Sequence, residues 1–168
     1  MRIQSVSVVM VAIVLLALSA CTTPVSKSAA ADSRCGTKPV PFTRDTEVLE
    51  IFRVNSGADG LSYGQIEKIQ GNTTTYLGAV LRQFELGNPS NAVIVSGPPD
   101  FQLPEHAAPY REIFMVLSGS VTATLSGGQS FAMQPGSLIL FEDTTGKGHG
   151  GKVGPCGYVS LDLQFKPS

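Results

Sequence analysis

Only two histidines occur in the chain, His106 and His149. With one carboxylate, Glu112, they make a donor set that could do chemistry. Two imidazoles and a carboxylate are the facial ligands of non-haem iron(II) centres, and manganese or zinc accepts the same donors. Such a set leaves coordination positions open for a substrate or for oxygen. The same three side chains could instead hold a small polar molecule by hydrogen bonds alone.

Asp143 and Lys147 complete the candidate pocket. Asp143 opens the run Asp143-Thr144-Thr145-Gly146-Lys147-Gly148, and aspartates at turns commonly bond to nearby backbone amides. Lys147 could close over an anionic group as a point charge. The Gly-Lys-Gly triplet lacks the spacing of a phosphate loop, and no helix pattern follows it whose N-terminus could bind an anion. The chain contains no nucleophile elbow, dinucleotide fingerprint or HExxH helix. Arg111 and Glu112 are adjacent, so on a strand they point to opposite faces. An inward Glu112 needs a ligand or a partner, whereas an outward Arg111 would form a surface ion pair. Glu142 and Asp143 divide in the same way.

The elements that must position these groups are strands. Glu47 to Val54 has β-type composition, and Ala58-Asp59-Gly60-Leu61 is a turn. Ser62 to Gln70, Thr73 to Leu86 and Ala92 to Ser96 read as further strands, with breaks at Asn88-Pro89-Ser90 and Gly97-Pro98-Pro99-Asp100. Ile113 to Leu117 is nearly continuous apolar sequence. Val121, Ala123 and Leu125 then alternate with threonines, and Val159, Leu161, Leu163 and Phe165 alternate with polar residues. Leu138 to Phe141 follows the Pro135-Gly136 turn. Eighteen glycines and eleven prolines suit many short strands, so the expected fold is all-β, a sandwich or a closed jelly-roll barrel. A formal net charge of −1 with no basic run argues against a nucleic-acid partner.

Several strings resemble one family. His106-Ala107-Ala108-Pro109-Tyr110-Arg111 and Asp143-Thr144-Thr145-Gly146-Lys147-Gly148-His149 resemble the HxAPxR and DTTGKGH stretches of a group of small single-domain cupins. The likeness spans roughly residues 47 to 166 and implies a double-stranded β-helix. Against the general cupin pattern, His106, Glu112 and His149 match three of the usual four metal ligands. Ala108 stands where the second histidine belongs, and the resembling group often has glutamine at the Glu112 position. The resemblance also implies pairing of two copies through sheet edges.

The N-terminus reads as an export signal. Arg2 precedes an apolar run from Val8 to Leu18, too short to span a bilayer, and Leu18-Ser19-Ala20-Cys21 resembles the lipobox of bacterial lipoproteins. Residues 1–20 are then a signal peptide, 21–35 a lipid-anchored tether rich in Ser, Thr and Ala, and 36–168 the cupin domain. Cleavage removes Arg2 and leaves 11 basic and 13 acidic side chains of the original 12 and 13, a formal −2. The expected location is the periplasmic face of a membrane, the outer one in a two-membrane cell. Cys35 and Cys156 remain as a pair in an oxidising compartment, which predicts a disulfide. In the chain-entropy view it would contribute at most roughly 4–5 kcal/mol.

Three readings follow: a lipid-anchored cupin that binds a small polar molecule, a metal-dependent enzyme of dioxygenase or isomerase type, and a structural or partner-binding lipoprotein. The anchor is directly testable. Cys21→Ser is expected to remove the acyl mass and release the protein from the membrane pellet; a variant that keeps both would exclude lipidation at Cys21.

Overall fold

The computed structural model describes residues 47–166. Cys21, Cys35, the signal segment and the tether lie outside them. The described residues form ten strands and no helix: β1 (Val48–Ser56), β2 (Ser62–Gln70), β3 (Asn72–Tyr76), β4 (Ala79–Gln83), β5 (Asn91–Gly97), β6 (Gln102–His106), β7 (Glu112–Leu125), β8 (Ser130–Met133), β9 (Leu138–Glu142) and β10 (His149–Gln164).

Eight strands form one sheet along the path β2-β1-β9-β7-β10-β5, with β6 on β10 and β8 on β7; β3 and β4 make a separate hairpin. The sheet is mixed, because β1 runs parallel to β9 while the other pairs are antiparallel. The path is open, with no pairing between β2 and β5 among the described residues. The expectation of a closed barrel is corrected here to an open sheet that is all-β and compatible with a sandwich.

Two long strands organise this sheet. The first half of β10 pairs with the end of β7 and with β6, and its second half pairs with the start of β7 and with β5. The register of β7 and β10 shifts between Val153 and Tyr158. Such irregularity bends a strand and increases its twist. Gly119 lies on β7 opposite this point at φ 73°, and a Cβ there would sit 2.0 Å from the carbonyl oxygen of Gly157. Only glycine permits both that backbone conformation and that approach.

The apolar run that opens β7 has a simple cause. Phe114 and Val116 join a core with Val54, Leu125, Met133, Ile139, Phe141 and Val153, whereas Ile113 joins a second with Ile51, Leu140 and Phe165. Both faces of the strand are covered, so the alternation disappears. The single strand expected over Thr73–Leu86 is instead the β3–β4 hairpin. Leu77 and Gly78 both take positive φ, 49° and 81°, which reverses the chain in two residues. Neither β6 nor β8 has a sequence pattern strong enough to predict it.

Gly119→Ala is expected to destabilise the fold by about 1–3 kcal/mol, the usual scale for a residue held in a sparsely populated backbone region, and by more if the carbonyl clash is not relieved. Urea unfolding would measure this; an unchanged midpoint would mean that β7 and β10 do not approach as described.

Candidate functional site

The pairing of β9, β7 and β10 sets the site. Across these strands Phe141, Glu112 and Gln164 share one row, and Ile139, Phe114 and Asp162 share a row two residues on. Successive side chains alternate between faces, so Glu112 and Phe114 face the same side as Asp162 and Gln164. At the other end of β10, His149 is opposite His106 of β6. Together these side chains line a cavity of 230 Å³, walled by Leu103, Phe114, Val121, Ala123, Met133, Phe141 and Tyr158.

Three of the five side chains predicted for the pocket, His106, Glu112 and His149, line this cavity. The two imidazole rings lie 4.9 Å apart, and His149 stacks on Phe141 at 4.3 Å. Gly148 makes this approach possible, since a Cβ there would lie 1.9 Å from the carbonyl oxygen of His106.

Asp143 and Lys147 are placed differently from the expectation. Asp143 is fully buried and stands behind His149, not on the cavity wall. Its Oδ2 accepts hydrogen bonds from Nδ1 of His149 and from the Ser62 hydroxyl, both at 2.8 Å, and its backbone oxygen accepts from Ala108 N–H at 3.0 Å. The aspartate therefore holds the imidazole by its side chain, not the loop by its own turn bonds. A carboxylate accepts, so the Nδ1 proton points at Asp143 and a neutral His149 ring presents Nε2 as an acceptor. The three groups form no nucleophilic relay, because Ser62 and His149 both bond to Asp143 and not to each other. Lys147 is exposed on the 144–147 loop, whose backbone is tied to the first turn by Lys147 N–H donating to Gly60 O at 2.9 Å. It does not line the cavity.

Arg111 and Glu142 lie outside the cavity. Glu142 accepts from both Arg53 and Arg111, and the Arg111 guanidinium sits 4.5 Å from the centre of the Phe165 ring. Burial alone would raise the Glu142 carboxyl, but the two guanidiniums outweigh it and hold it below its ordinary value.

Sequence reasoning missed Tyr158, Asp162 and Gln164. On β10 the polar members of the alternation face inward: Ser160 and Asp162 are 0% and 6% exposed, while Val159, Leu161 and Leu163 are only partly buried. Alternation announces a strand but not which set is interior. The one available signal was the inward carboxylate already placed on the partner strand.

Electrostatically the cavity is acidic. Burial chiefly, with Asp162 and Asp143 adding to it and His149 opposing, pushes the Glu112 carboxyl up to about 7. Asp162 is raised by burial, partly offset by Ser160. The Tyr158 hydroxyl is raised by burial and by both carboxyls. Among the described residues no lysine or arginine lines the cavity.

Among the described residues no three His, Cys, Asp or Glu side chains come together in a group that could hold a metal ion. The predicted His106, Glu112 and His149 set shares a cavity without making a coordination site, so iron, manganese and zinc do not fit these residues as they stand. No protein-family model matches the chain, and neither does any curated protein.

The raised Glu112 carboxyl has a definite pH consequence. The folded state holds that proton more tightly than the unfolded chain, whose carboxyl titrates near the ordinary 4.5. Below that value both states are protonated and folding is unaffected. As pH rises towards about 7 the unfolded chain binds fewer protons, so stability falls, and the penalty is complete above it. Glu112→Gln is expected to flatten this decline in urea midpoints between pH 5 and 8 and to be the more stable protein at pH 8; an unaltered slope would show that Glu112 is not buried in the folded state.

Proposed function

We propose that this chain is a lipid-anchored cupin that binds a small polar molecule in the cavity between β6, β7, β8, β9 and β10. The observation that carries the reading is the convergence of His106, Glu112, His149 and Asp162 on one apolar-walled cavity of 230 Å³. A few convergent polar groups on an apolar wall are the general form of a small-molecule site. The volume lies below the usual range for drug-sized ligands, roughly 300–1,000 Å³, so the occupant is small.

The cupin assignment rests on the HxAPxR and DTTGKGH resemblance, and the all-β fold is compatible with it. Anchoring through Cys21 at the periplasmic face rests on the lipobox resemblance. The Cys35–Cys156 bridge belongs to the same proposal and rests on the oxidising compartment that an export signal implies. Pairing into a homodimer is likewise part of the cupin reading. The inward carboxylates count against a purely structural domain, since an acid buried without a partner carries a desolvation penalty that packing alone does not require. The metal-enzyme reading has no support in how these side chains are grouped.

The test is a melting-temperature screen of the full-length chain against small amines, alcohols, sugars and carboxylic acids. One class is expected to raise the melting temperature in proportion to log concentration. Ala123→Leu, which fills the cavity, is expected to abolish that shift relative to its own ligand-free melt. No shift from any class, or a shift that survives Ala123→Leu, would overturn the reading.

A further inference from the structure

We propose that the occupant of this cavity is a small organic ammonium ion, held between Glu112 and Asp162 against the aromatic wall. The inference rests on the small-molecule reading above and narrows it to one chemical class.

The strongest observation concerns Asp162. It lines the cavity and is 6% exposed, yet its Oδ1 is buried and has no hydrogen-bond partner among the described residues. A buried carboxylate oxygen left unbonded is costly, and such groups normally find a donor. Among the described residues the polar side chains on the wall besides Asp162 are His106, Glu112, His149, Tyr158 and Gln164. None of them carries a permanent positive charge, and the only donor beside Asp162 among the described residues is the neutral Ser160 hydroxyl, so a cation from solution would complete Asp162 best.

The second observation is geometric. Glu112 is opposite Gln164 in the β7–β10 ladder, so Asp162 is its diagonal neighbour on the same face. Diagonal neighbours stand roughly 7–8 Å apart. That spacing lets a single compact cation lie between two carboxyls that make no hydrogen bond to each other here and repel when both are ionised. An ammonium group brings up to three donors and no acceptor, which matches two acceptor-only carboxylates. An anion would meet two acids and, among the described residues, no lysine or arginine. A neutral alcohol would supply donors without balancing the charge.

The wall suits the rest of such a ligand. Phe114 lies 6.2 Å from Phe141 and 5.9 Å from Tyr158, centre to centre, and ring faces attract cations. The groups facing Glu112 are Asp162, Tyr158 and His149 of β10 and Asp143 behind it, with His106 of β6 farther along the cavity. A Glu112 carboxyl that ionises near neutrality makes cation affinity increase with pH.

Calorimetric titration of the full-length chain with n-butylammonium, 1-butanol and butyrate at pH 6 and pH 8 tests this. The ammonium ion, which stays charged at both values, is expected to bind at least tenfold more tightly than 1-butanol, with butyrate not binding. Its affinity should rise roughly fivefold or more from pH 6 to 8, as expected for a carboxyl titrating between them. Asp162→Asn should weaken binding at least tenfold, and Glu112→Gln should remove the pH dependence. If Asp162→Asn does not fold, the pH dependence of the unsubstituted protein decides. Equal binding of butanol or butyrate, or ammonium binding that is indifferent to both pH and Asp162→Asn, overturns the proposal. Should an alcohol or acid bind in an Ala123→Leu-sensitive way while the ammonium does not, the cavity remains a binding site and only this inference fails. If nothing binds, both fail.

Discussion

The buried carboxylate of Asp143 is the constraint around which the site is arranged. It joins Ser62 at the start of β2, His149 at the start of β10 and, through its backbone, Ala108 in the segment after β6. Three stretches distant in sequence are thereby fixed at one point. A fully buried acid needs donors; here Oδ2 takes two, from Ser62 and His149, while Oδ1 has none among the described residues. Removing the carboxylate would leave a serine hydroxyl and an imidazole unbonded in the interior, the situation in which a lost hydrogen bond does most damage.

From this point the polarity of the domain divides cleanly. On the outer side, Glu142 gathers Arg53 and Arg111, and Arg111 covers Phe165, so the neighbouring acid is fully compensated. On the inner side, Glu112 and Asp162 face a largely apolar wall that carries no lysine or arginine among the described residues. Two adjacent pairs, Arg111–Glu112 and Glu142–Asp143, thus distribute charge by strand alternation alone. Each puts one residue into the surface network. The other residue goes to the cavity in the first pair and to the hub behind it in the second.

Much of this was legible beforehand. The bounds of β2, the turn at Asp59-Gly60 and the opposite facing of Arg111 and Glu112 follow from period-two patterning and turn chemistry. His106 and His149 could be linked only through the family resemblance, because nothing local in the sequence reports a contact between β6 and β10. The β3–β4 hairpin was hidden because Leu77, exposed and at positive φ, is not a residue that signals such a turn. The inward face of β10 was hidden for a deeper reason. Hydrophobic patterning assumes that apolar residues face the interior, and along Tyr158, Ser160, Asp162 and Gln164 the interior is a cavity that needs polar groups. Asp143 was expected in the pocket and bonded to its own turn; a tertiary hydrogen bond to His149 places it behind the cavity wall instead.

The long strands β7 and β10 supply both cavity walls and core: Phe114, Val116 and Val153 pack inside while Glu112, His149 and Asp162 line the site. The cavity wall therefore does not move as an independent lid, since its residues belong to the central β7–β10 ladder of the domain. An occupant would act as a tie across the whole fold. By mass action, saturation at a hundred times the dissociation constant adds about 2.7 kcal/mol to global stability, so occupancy and resistance to unfolding would rise together.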